Sequence, residues 1–171
     1  MLKWLLRKKM TAVVDKDIED ARSALTAVFL QAPQQSPNLK MAYAEGIRET
    51  AGLLAQRFGI SMPNALEATG LDRRQLDDAC IILRKAMETA RPLLRSESEA
   101  MRIEARKRAA GCVFFSHLYR LRFRATQAPE EQKARLTEAA EIYAQFARRM
   151  SEIGAGTRDP GEAGEESLRE Q

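Results

Sequence analysis

The spacing of apolar residues limits this chain's fold more than any other feature. From Pro129 onward, Leu136, Ala140, Tyr143, Phe146 or Ala147, Met150 and Ile153 recur at steps of three and four until Gly154. Such steps draw one apolar stripe along a helix, whereas a half-buried strand needs alternation at every second residue. No stretch alternates convincingly, so the spacing predicts an all-α fold.

The same reading divides the rest of the chain. Val14, Ile18, Ala21, Leu25 and Val28 predict a helix from about Val13 to Gln31, ended by Pro33 and Pro37 in QAPQQSPN. A second is expected from about Asn38 to Phe58, with Tyr43, Ile47, Ala51, Leu54 and Phe58 on one face and Gly59 placed to stop it. Ser61 suits the cap of a short helix with Pro63 in its first turn, closed by Thr69-Gly70. Asp72 suits the cap of a longer helix through Leu76, Cys80, Leu83, Met87 and Ala90, ending near Arg91-Pro92. Another helix begins at Ser96 or Ser98 and runs to about Ala125. Glu138 and Glu141 are expected on the solvated face of the last helix. Five long helices and one short one, joined by connections of about two to eight residues, read as an antiparallel bundle.

A chain of 171 residues with 44% apolar and 30% charged residues suits one domain with a core. The expected organisation is a basic amphipathic segment over residues 1–12, a helical domain over 13–153 and a disordered acidic tail over 154–171. The tail holds five acidic residues against Arg158 and Arg169, a net −3, which leaves +7 of the total +4 on the remainder. A basic body with an acidic tail points to an anionic partner or to a tail that masks the site for one.

Several function classes fall away. The only histidine is His117, and the cysteines, Cys80 and Cys112, lie far apart without a CxxC or Cys/His cluster, so they read as buried thiols in a reducing compartment. There is no glycine-rich phosphate loop, metal-ligand cluster or nucleophile elbow. The expectation is therefore a protein that is not an enzyme and uses no cofactor or metal; an all-α enzyme with dispersed catalytic residues stands last among the readings. No apolar run approaches the roughly 18 residues of a membrane span. MLKWLLRKKM also lacks the order of a secretory signal. A cytoplasmic location is expected, with peripheral contact at the inner membrane face an option.

Three features carry functional expectations. On MRIEARKRAAGCVFFSHLYRLRFRA, Arg102, Arg106, His117, Arg120 and Arg124 fall within an arc of about 60° at 100° per residue. Met101, Ala105, Cys112, Tyr119 and Phe123 flank that arc on one side, and Ile103, Phe114, Leu118 and Leu121 on the other. The stripe is either the floor of an anion-binding groove or a solvated seam whose arginine stems cover core side chains. As a groove, it makes the chain an interaction or adaptor protein for a partner with an acidic surface.

The second feature is RFGISMPNALEATGLDRRQLDDA, which reads either as a structural corner or as a helix-turn-helix. In the second case Arg73, Arg74 and Gln75 would contact nucleic acid. Asp77 and Asp78 oppose that reading by repelling phosphates. Third, Lys3, Trp4, Arg7, Lys8 and Lys9 have the composition of a short anchor for an anionic membrane surface, unless the segment docks on the bundle.

Overall fold

The computed structural model describes residues 37–156 continuously and, upstream, Glu19 and Ser23, both helical and exposed. The remainder of the helix expected over 13–31, the N-terminal segment 1–12 and the tail from residue 157 lie outside the described residues. Five helices follow in order: α1 (Pro37–Phe58), α2 (Met62–Glu67), α3 (Arg73–Leu93), α4 (Glu99–Ala125) and α5 (Glu130–Gly154). They pack against one another, with no strand among the described residues, so the fold is all-α.

Local chemistry sets the helix ends. Gly59 follows α1 at φ +61°, a left-handed conformation that costs glycine little. Ser61 caps α2, its Oγ accepting from the Asn64 N–H at 3.2 Å, with Pro63 in the first turn. Closure of α2 comes one residue earlier than Thr69-Gly70: Ala68 adopts φ +54° and buries its methyl, while the Thr69 N–H bonds the Asn64 carbonyl at 3.0 Å. Asp72 and Gln75 form a reciprocal capping box on α3, at 2.8 and 3.0 Å. Pro92 lies within the last turn of α3 and does not end it at the preceding residue. Of the two serines before α4, Ser98 is the cap, and its Oγ accepts from the Met101 N–H at 3.4 Å.

Helix α4 packs against α1, α3 and α5, and its buried residues form much of the core. It meets α1 where both helices lack side chains. A Cβ added to Gly46 would overlap the Lys107 backbone carbonyl, and one added to Gly111 would overlap Thr50 Oγ1 and the Gly46 carbonyl. Thr50 turns its hydroxyl back to the Gly46 carbonyl at 2.8 Å, which keeps a buried polar group satisfied at the crossing. Toward α5, Phe114 stacks on Phe146 at 5.2 Å and meets the Tyr143 ring edge-on at 5.4 Å.

Two apolar expectations for α4 need correction. Met101 is 47% exposed and Ile103 43%, although both were expected on apolar flanks. They lie in the first two turns of a 27-residue helix, where the periodic pattern outlasts the core that would cover it.

A candidate interaction surface along α4

The five residues of the basic stripe do different work. Arg102 is turned back onto the α3–α4 connection, where its Nη1 donates to the Ser96 carbonyl at 2.7 Å and the Glu97 carbonyl at 3.0 Å. That guanidinium holds a loop. Arg124, half-buried, is held by interactions of its own. Arg106 and Arg120 are exposed and make no hydrogen bond or ion pair with a described residue. His117, also exposed, lies nearly parallel to the Tyr143 ring, with centroids 6.1 Å apart.

Arg106 and His117 border an apolar cleft of about 340 Å³ between α1, α4 and α5. Tyr43 and Ile47 form the α1 wall, Ala110, Val113 and Phe114 the floor on α4, and Tyr143 and Phe146 the α5 wall. Val113 is 44% exposed, large for an aliphatic side chain in mid-helix. Arg102, Arg120 and Arg124 do not line this cleft, so the stripe is continuous in angle but is not the floor of a single groove.

The positive charge of the stripe rests on its arginines. Partial desolvation of the imidazole where it lies along the Tyr143 ring, and then the neighbouring Arg120 charge, push the His117 pKa below its ordinary value. Arg120 also acts on Cys80 of α3, partly opposing the upward push that burial gives that thiol. His117 is thus biased to neutrality, and the positive charge at this edge belongs to the arginines. Burial likewise raises Cys112, and both cysteines are free thiols. No three His, Cys, Asp or Glu side chains converge as a metal site among the described residues.

The α2–α3 corner is fastened to the opposite side of α4. Tyr119, fully buried, donates its hydroxyl to the Ala65 carbonyl at 2.9 Å, and Arg122 Nε donates to the Glu67 carbonyl at 3.1 Å. The Glu67 carbonyl at the end of α2 takes its hydrogen bond from α4, and the Ala65 carbonyl, which also accepts from the Ala68 N–H at 3.4 Å, gains a second donor there. Glu67 also accepts from Arg148 Nη1 at 2.5 Å, and Arg148 Nη2 reaches Glu141 at 3.0 Å. Glu141 in turn lies 3.5 Å from Arg122 Nη2. Glu141 is therefore no free member of a solvated face, and the network joins α2, α4 and α5.

Two of the three corner residues singled out as nucleic-acid contacts have local roles. Gln75 is spent on the capping box. Arg73 lies over the Phe123 ring, 5.8 Å from its centroid, and with the Gln127 amide turned to face it donates to that oxygen at 3.1 and 3.2 Å. Arg74 is exposed beside the equally exposed Asp77 and Asp78. Helix α2 packs on α1 and α5, while α3 packs on α4. Lys3, Trp4, Arg7, Lys8 and Lys9 lie outside the described residues, and no described helix is long and apolar enough to cross a membrane.

Spacing marks Tyr43, Phe114, Tyr143 and Phe146 only as apolar-face residues. The gap between three helices that turns them into a cleft has no signal in one sequence. In comparisons with known proteins, the chain matches no family model, no curated protein and no solved structure.

Proposed function

We propose that this protein is a non-enzymatic helical interaction module that holds a partner with an acidic surface along α4. The observation that carries this reading is the pair of exposed arginines, Arg106 and Arg120, which make no ion pair or hydrogen bond with a described residue, on either side of His117 and beside an apolar cleft. Guanidinium groups without an internal carboxylate are available for paired, charge-assisted hydrogen bonds to carboxylates, and the cleft adds apolar area next to them. We read the bundle itself as antiparallel. Phe114 meets Phe146 while Arg122 meets Glu141, and Arg73 meets Phe123 while Arg120 acts on Cys80, so α4 runs against both α5 and α3.

The test is binding of a fluorescein-labelled acidic peptide, followed by anisotropy over a range of salt. The wild type should bind in a salt-weakened manner, and Arg106→Ala with Arg120→Ala should weaken binding about 30-fold, the equivalent of roughly 2 kcal/mol for lost charge-assisted pairs. The same measurement with labelled duplex DNA covers the helix-turn-helix alternative: salt-sensitive duplex binding lost with Arg73→Ala and Arg74→Ala would replace this reading.

A further inference from the structure

The outward row of α4 has a pattern of its own between Arg106 and Arg120. At 100° per residue, Arg106, Ala110, Val113, His117 and Arg120 fall within an arc of about 80°. The two arginines end this row, about 21 Å apart along the helix at about 1.5 Å per residue, and the apolar cleft follows α4 from Arg106 to His117. We infer that the partner held here is an amphipathic helix, with apolar side chains at the centre of its docking face and a carboxylate about two turns to either side. This deepens, and rests on, the reading of α4 as the surface for an acidic partner.

Backbone chemistry favours a helix over an extended segment. The residues lining the cleft carry polar side-chain atoms only at Tyr43, Arg106, His117 and Tyr143, and its floor and walls are helices whose backbone groups are paired internally. An extended peptide there would leave its own N–H and C=O groups facing the cleft without partners, and no strand edge exists among the described residues to take them. A helix arrives with those groups already bonded. Size agrees, because about 340 Å³ admits side chains from one face of a helix but not the helix itself, about 10 Å across. Charge sets the ends of the docking face. None of the described residues lining the cleft is acidic, and Arg106 and Arg120 make no ion pair with a described residue. On a straight helix, positions i and i+14 lie about 40° apart around the axis. One helix can therefore offer a carboxylate to each arginine from the same face that seats positions i+4, i+7 and i+11 in the cleft.

The probe is a fluorescein-labelled peptide of about 18 residues with glutamate at i and i+14 and leucine at i+4, i+7 and i+11. Anisotropy with the full chain compares it with a shuffled peptide of the same composition, with a version carrying proline at i+9 on the opposite face, and with one whose leucines are replaced by serine. The ordered peptide should bind about ten-fold more tightly than each of the three, and its carbon chemical shifts in the complex should be helical. Arg106→Ala with Arg120→Ala should weaken it. Equal affinity of all four peptides, each weakened by the arginine substitutions, would overturn the helical partner and leave the acidic-partner reading in place. Tight binding without helical shifts, or unmoved by the serine replacements, would overturn the helical partner as well. The absence of salt-sensitive binding by any peptide would overturn both readings.

Discussion

The two sides of α4 show opposite solutions to the same problem of covering a helix. Toward α2, polar groups find fixed partners: Tyr119 and Arg122 donate to the Ala65 and Glu67 carbonyls, and Arg148 bridges Glu67 to Glu141. Toward α1 and α5, the surface leaves a cleft with Val113 exposed and Arg106 making no ion pair with a described residue. The first arrangement spends charged groups on architecture, and the second leaves them available. A helix can therefore be rich in arginine on two sides and spend those charges on internal partners on only one.

The sharpest way to break this contrast is at the crossing that positions both sides. Gly111→Ala or Gly46→Ala forces a methyl group into a backbone contact, and overpacking of that kind costs about 3 kcal/mol. Thermal or urea unfolding should report it. A loss below about 0.5 kcal/mol would mean that α1 and α4 are not held this closely. Tyr119→Phe comes next, with an expected loss of about 1 kcal/mol from the buried hydroxyl's hydrogen bond to the Ala65 carbonyl. Urea unfolding measures this, and an unchanged midpoint would remove the corner's attachment to α4.

The cleft side should behave differently. Arg106→Ala is expected to leave stability within about 0.5 kcal/mol of the wild type, as for an exposed side chain away from special contacts, while still weakening acidic-peptide binding. A large stability loss would show that Arg106 serves the fold. His117 gives the smallest effect. Because its folded-state pKa is depressed, the native state favours the neutral ring. Its contribution to stability is therefore complete above the unfolded value, about 6.5, and is lost as pH falls through the depressed value. His117→Gln should flatten the part of the stability profile that falls as pH drops below that unfolded value. An unchanged slope would mean that the ring is no more crowded folded than unfolded.

Much of the fold was legible because helix ends are written in local chemistry. Ser61, Asp72 and Ser98 carry the oxygen that a first turn requires, and Gly59 accepts the backbone angle that a last turn leaves. The site was legible only in part. A helical wheel groups Arg102 with Arg106, but it has no view of the carbonyls of Ser96 and Glu97 that claim Arg102. Nor does Glu141 reveal, from spacing, that Arg148 and Arg122 converge on it from two helices. Whether a charge is spent or available depends on its neighbours across the bundle.

The central claim, that α4 binds on its cleft side and is structural on its corner side, is tested most directly by amide chemical-shift mapping. Isotope-labelled full-length protein would be titrated with an unlabelled acidic peptide at low salt. The account predicts perturbations concentrated between Arg106 and Arg120, extending to α5 near Tyr143 and leaving Ser61 to Asp78 unmoved. Perturbations centred on Ser61 to Asp78, with α4 between Arg106 and Arg120 unchanged, would contradict it.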